Sequence, residues 1–167
     1  MSLEATVAGS SNLVQDIVVF FSSMLPFIEN KGSILLAAAL NMKWYISYAE
    51  TTIGSFLPVP FLIMVGKRGL QRLRSNRIVG KFIVKVDNFA EKHADFLHKH
   101  AYLAMTVIIS IPFTGIGCWA GALLSNILSL DRKRACGAIF AGVIVSGLIT
   151  CAGAYGLSMG IRHLLRF

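Results

Sequence analysis

The 167-residue chain has little charge: Asp, Glu, Lys and Arg make up 14% of it and 55% is hydrophobic, with a mean hydropathy of +0.67. A soluble domain of this size needs roughly a quarter of its residues charged to cover its surface. The shortage excludes an ordinary soluble domain and points to an integral membrane protein. Cysteine is scarce as well. Cys118, Cys136 and Cys151 are too widely spaced for a CxxC motif and lie in apolar runs, where a thiol behaves as a small hydrophobe. Neither a metal site nor a cofactor is expected. The sequence also lacks a Walker A lysine loop and a nucleophile triad, so an ATPase, a hydrolase or another enzyme is not expected. MSLEATVAGSSN at the start lacks the basic region of a secretory signal, so no cleavage is expected.

The charges that are present cluster. Of sixteen Lys and Arg, nine lie between Lys67 and Lys99, and three more are Arg132, Lys133 and Arg134. Long apolar runs flank the basic segment, so anionic lipid headgroups and a cytoplasmic location explain it better than nucleic acid. Membrane lipids are the expected partners, and nucleic acid is not.

The apolar segments fall into two length classes. Trp44 to Gly66 and Ala135 to Gly160 are long enough to cross a hydrocarbon core of roughly 30 Å. Leu13 to Leu25, Ser33 to Met42, Tyr102 to Ile111 and Cys118 to Leu130 reach only about half way and suit re-entrant segments. The short ones come in pairs, joined by PFIENKG and by PFTGIG. Pro26, Phe27 and Gly32 shape the first turn; Pro112, Phe113, Gly115 and Gly117 shape the second.

The two halves resemble each other. Leu25-Pro26-Phe27 aligns with Ile111-Pro112-Phe113, and after a two-residue shift Gly32 to Leu40 aligns with Ala120 to Leu128 and Gly54 with Gly142. Each half reads as short helix, turn, short helix and one full span. An odd number of crossings per half inverts the second copy, as in secondary transporters. The expected fold is an all-α membrane domain over residues 1–167: repeat 1 at 12–66, a basic amphipathic linker at 67–100, and repeat 2 at 101–167. With the linker inside the cell, twelve of the sixteen basic residues are cytoplasmic, leaving Lys31, Lys43, Arg162 and Arg166 elsewhere.

Within the linker, Phe82, Val86, Phe89, Phe96 and Leu97 can share one helical face, which suits an amphipathic helix on the cytoplasmic membrane surface. His93, His98 and His100 crowd its end without a supporting carboxylate or thiolate set, so they read as surface histidines rather than metal ligands. Glycines at 54, 137, 142, 147, 153, 156 and 160 suggest close helix packing, and a homodimer on that face is expected.

MLPFIENKGSI, then GSFLPVPF with Pro58 and Pro60, a basic linker, and IPFTGIGCWAGALLSNIL followed by DRKRA resemble the small multidrug export protein family of prokaryotes, from about Met24 to Ile149. That family is distantly similar to the DedA (VTT) membrane proteins, whose paired re-entrant loops and spans move or scramble lipids in some members. The resemblance implies a multi-pass protein of the prokaryotic cytoplasmic membrane. DedA proteins carry arginine around the second re-entrant segment, and PFTGIGCWAG has none, so an arginine phosphate clamp is not expected there.

Few side chains can carry chemistry. Glu29 would sit at a re-entrant tip, where an ionised carboxylate costs roughly 3 kcal/mol or more. It can take up and release a proton in a transport cycle, or it can pair with Lys31 or cap the helix beginning near Gly32. Lys31 can hold an anionic headgroup or neutralise Glu29. Asn30, Glu50, Thr114 and Trp119 complete the expected substrate and ion pathway, Glu50 with a snorkelling carboxylate as the alternative and Trp119 with core packing. The match G-x-G-x-x-A from Gly115 through Gly117 to Ala120 lacks the second strand and the acidic partner of a dinucleotide site. Its glycines instead leave amides free at a helix start near Cys118, which suits an anion. The expected function is a transporter, scramblase or flippase for an amphipathic or anionic substrate such as a lipid or lipid-linked phosphate, proton- or ion-coupled through Glu29. The alternatives are efflux of lipophilic drugs and a non-transporting structural or assembly factor.

Overall fold

The computed structural model describes residues 3–73, 75–112, 114 and 117–164, and every regular element among them is an α-helix. In chain order these are α1 (Leu3–Ser23), α2 (Glu29–Ala39), α3 (Trp44–Phe56), α4 (Pro58–Leu73), α5 (Arg77–Lys92), α6 (Ala94–Ser110), α7 (Cys118–Ile127) and α8 (Arg132–Leu164).

Among the described residues, two stretches are long and apolar enough to cross a membrane. α3 runs into α4 through Leu57, which keeps helical dihedrals; Pro58 opens the next turn, where a missing N–H is tolerated. Together they form the 23-residue stretch Trp44–Gly66. Gly66 ends it at φ 63°, ψ −175°, a backbone conformation that only glycine adopts readily. The second stretch is Arg132–Leu157, 26 residues, about one turn earlier than the expected Ala135 to Gly160. Large apolar side chains stay uncovered around both, among them Phe61 at 66%, Leu103 at 63% and Leu157 at 69% exposure. Contact with acyl chains accounts for such a surface, and water does not. The chain is a helical membrane protein.

Packing brings the short helices onto the long ones. α2 packs on α1, α3 and α8, while α7 packs on α4, α5 and α8. Met105, Ile109, Leu123, Leu124, Ile139 and Val143 lie in the core between α6, α7 and α8.

The halves share local geometry at the spacing seen in the sequence. Asn41 and Ser129, 88 residues apart, are the left-handed residues that end α2 and α7, at φ 58° and 54°. Each end closes with the same paired hydrogen bonds: Asn41 N–H to Ala38 O and Met42 N–H to Ala37 O, then Ser129 N–H to Asn126 O and Leu130 N–H to Ser125 O. This is the Schellman arrangement. Gly54 lies against Phe20 and Ser23 of α1, and Gly142 lies against Thr106 and Ile109 of α6. The contacted residues are again partners, at the 86-residue spacing of the first helices.

Other expectations change. α1 begins at Leu3 rather than Leu13, and α2 begins at Glu29 rather than Gly32. The linker is not one helix. It breaks at His93 between α5 and α6, so Phe96 and Leu97 belong to α6, and their side chains, like those of Phe82 and His98, lie outside the described residues. The buried face of α5 is Ile83, Val86 and Ala90, and α5 packs on α7. Among the glycines of α8, Gly142 and Gly147 are close approaches, whereas Gly137, Gly153 and Gly156 face open space. The surroundings of Gly160 lie outside the described residues.

Candidate functional site

The turn after α1 sets the first half of the site. Pro26 cannot donate a hydrogen bond, so the chain leaves the helix at Ser23 and re-forms it after Glu29 N–H bonds to Leu25 O at 3.0 Å and Gly32 N–H to Ile28 O at 2.8 Å. Glu29 adopts φ 49°, a conformation that costs a residue with a side chain on the order of 1 kcal/mol or more. The turn directs the side chain inward. Glu29, Asn30 and Lys31 are 5%, 2% and 7% exposed, a run of buried polar groups at the start of an otherwise apolar helix.

Glu29 reaches the other half of the molecule. Its Oε1 accepts from Trp119 N–H at 3.4 Å and from Cys118 Sγ at 3.5 Å, and Lys31 Nζ lies 4.0 Å from Oε2. Gly117 provides no side-chain cap for α7, so the carboxylate of Glu29 caps that helix from across the molecule, where negative charge is favoured. The expectation that Glu29 pairs with Lys31 is met, but the helix it caps is α7 rather than its own.

Gly117 makes the approach possible. A Cβ there would fall on the Glu29 carboxylate, whose atoms are its three nearest neighbours. Residues 29 and 117 correspond in the two halves, and they meet face to face. Their successors form a reciprocal pair. Asn30 Nδ2 donates to Val143 O at 3.0 Å, and Cys118 Sγ donates to Ser55 O at 3.2 Å; 30 with 118 and 55 with 143 are again 88 residues apart. The first turn of each short helix is thus bonded to the span of the other half.

Trp119 is partly buried against the core, and its Nε1–H donates to Met24 O at 3.1 Å, binding the second turn to the first. Thr114 is exposed, with Oγ1 3.4 Å from Ile111 O. Pro112 is half-buried. Phe113 and Gly115 lie outside the described residues. Glu50 is not brought to Glu29; it is half-buried on α3 and its electrostatic neighbour is Asp16 of α1.

Beside the Glu29–Lys31 pair is a cleft of about 270 Å³, lined by Pro26, Phe27, Ile28, Glu29, Lys31, Gly32 and Gly117. Its lip is apolar and uncovered: Phe27 is 72% exposed and Ile28 38%. A carboxylate and an ammonium lie behind it, in reach of the amides that open α7. Such a cleft suits a molecule with a polar head and an apolar body. Among the described residues no group of three or more His, Cys, Asp or Glu could hold a metal.

The sequence reading missed Cys118, placed among inert thiols, and Gly117 as the space for a carboxylate. The internal alignment matched 25–27 with 111–113 and 32–40 with 120–128 but left the residues between them unassigned; carrying its two-residue shift back over them sets 29 against 117 and 30 against 118. It also missed the buried hydroxyls of Ser47 and Ser55, which share one face of α3 with Thr51, and Ser146 and Thr150 on α8, because serine and threonine are common in apolar helices.

Residues 29–149, more than half of the chain, match the family described as Putative small multi-drug export protein. No curated protein and no solved structure matches the chain.

Proposed function

The chain belongs to the small multi-drug export protein family, and on that premise we propose that it is a membrane transporter whose amphipathic or anionic substrate passes the Glu29–Lys31 cleft. One observation carries the reading: a buried carboxylate and ammonium 4.0 Å apart in a cleft with an exposed apolar lip at Phe27 and Ile28. A charge inside the bilayer costs roughly 3 kcal/mol, so unused groups there are hard to retain. A lip open to acyl chains with charges behind it fits a lipid or lipid-linked phosphate, moved by a scramblase or flippase.

The transport geometry is that of two inverted repeats, each a re-entrant hairpin followed by a span, in a multi-pass protein of the cytoplasmic membrane. Matching helix caps, matching glycine contacts and the reciprocal bonds of Asn30 and Cys118 support this arrangement. Irregular backbone at bilayer depth is tolerated where it lines a polar cavity, as the turn from Pro26 to Glu29 lines the cleft. Proton coupling follows from the contacts of Glu29: protonation weakens its hold on Lys31 and on the start of α7, freeing both for an anion. Ser146 Oγ, fully buried and without a hydrogen-bond partner among the described residues, offers a water position in the interior.

Vesicles reconstituted with the full chain and containing a fluorescent phospholipid, a polyprenyl phosphate or a cationic dye test the reading. The native protein moves one of the two lipids, and Glu29→Gln slows it by about tenfold or more, the rate equivalent of about 1.4 kcal/mol, and removes its response to a pH gradient. Movement of the dye alone supports drug export instead, as the family description has it. Movement of none favours a non-transporting assembly factor, a reading that the many contacts of Glu29 also suit, and overturns transport for these substrates.

A further inference from the structure

A second cavity, of about 400 Å³, lies where α1, α2 and α3 meet, lined by Gln15 and Asp16 of α1, Asn41 and Met42 after α2, and Lys43 and Ile46 at the start of α3. That volume lies in the range of small-molecule sites. Neither Asp16 nor Lys43 forms an ion pair within the described residues; the Lys43 ammonium lies over the Tyr45 ring, 6.0 Å from its centre.

The cavity is lined by one carboxylate, Asp16, and one ammonium, Lys43. Half-buried Glu50, the electrostatic neighbour of Asp16, adds to the negative potential there. Lys43 precedes α3 and gives no side-chain cap to it, so its ammonium and the first amides of α3 favour an anion together. Depth is marked by Trp44 and Tyr45, 55% and 51% exposed at the start of the span, where aromatic side chains sit at the headgroup level. Leu13, Val14 and Ile17, on the same helix as Asp16, are exposed apolar side chains against which acyl chains can lie.

We propose that this cavity binds the headgroup of a zwitterionic phospholipid, with the phosphate at Lys43 and the start of α3 and the ammonium at Asp16. The site depends on the chain lying in a membrane and is separate from transport at Glu29. It favours an aminophospholipid over an anionic lipid because the Asp16 carboxylate in its wall repels a second negative charge.

Native mass spectrometry of the full chain in detergent, titrated with short-chain phosphatidylethanolamine and with phosphatidylglycerol of the same chain length, tests it. The native protein retains phosphatidylethanolamine about tenfold more tightly, a difference typical of one charge-assisted contact. Asp16→Asn abolishes the preference, and Lys43→Gln weakens both lipids by about as much. Both variants are checked for native helicity by circular dichroism; should Asp16→Asn not fold, the exposed Lys43→Gln decides alone. Glu29→Gln, in the transport cleft, leaves the preference for phosphatidylethanolamine over phosphatidylglycerol in place. Equal retention of the two lipids by the native protein, a preference that survives in folded Asp16→Asn, or undiminished retention by Lys43→Gln overturns the proposal. Loss of that preference in Glu29→Gln moves the binding to the other cleft and overturns it too. Free phosphoethanolamine that displaces the lipid at equal concentration overturns the lipid as the source of the headgroup.

Discussion

Residues 29–31 and 117–119 hold corresponding places in the two halves, yet one is Glu-Asn-Lys and the other Gly-Cys-Trp. Their helices end in the same cap and bond to each other's spans in the same way. Only the chemistry differs. The first turn supplies a carboxylate, an amide and an ammonium; the second supplies space, a weak donor and an indole that holds Met24 O. Because the twins meet, one half can carry a buried charge only if the other gives up its side chain. A glycine at 117 and a glutamate at 29 are therefore two parts of one site.

That pairing is most easily broken at the glycine. Gly117→Ala puts a methyl group on the Glu29 carboxylate, forcing it away from Lys31 and the start of α7. Displacing one member of a buried ion pair costs about 3 kcal/mol or more, so thermal unfolding in detergent should show a large loss of stability together with loss of transport.

A smaller effect tests whether the spans are equivalent. Gly54→Ala and Gly142→Ala bring a Cβ to 2.8 Å from Phe20 O and to 2.8 Å from Ile109 Cβ respectively. Each should cost about 1–3 kcal/mol of stability by overpacking. Gly153→Ala, with nothing within 4 Å, should be neutral or slightly stabilising in the same melts.

The smallest effect separates the reciprocal bonds. Asn30→Ala removes a buried N–H···O bond and should cost about 1 kcal/mol. Cys118→Ala removes only a weak S–H donor and should cost about half of that or less. Hydrogen exchange at the first turns of α2 and α7 should show the corresponding asymmetry.

Much of the architecture was legible because length and apolar content decide what can cross a bilayer. Trp44–Gly66 and its counterpart in α8 stand out on that ground alone, and the likeness of the halves was visible in proline and phenylalanine 86 residues apart and, after a two-residue shift, glycine 88 apart. The site was half legible. Glu29 and Lys31 are conspicuous as charges within apolar sequence, but the partners of Glu29 at 118 and 119 come from the far side of the chain, and no local pattern names them. Cys118 in an apolar run looks like any core thiol. The break of the linker at His93 was less legible: an apolar helix face specifies only that something covers it, and part of the face of α5, at Ile83, Val86 and Ala90, is buried where α5 packs on α7. Asp16 and Lys43 went unnoticed because each is a single charge near the end of an apolar segment, where snorkelling is ordinary.

The proposed inversion of the two halves is tested most directly by the side of the membrane from which their twin caps are reached. Asn41 and Ser129 are both exposed and end corresponding helices. In a background with the three cysteines replaced by alanine, Asn41→Cys should react with a membrane-impermeant thiol reagent only from outside the cell, and Ser129→Cys only after access to the cytoplasmic face. Reaction of both positions from the same side would contradict the inverted arrangement.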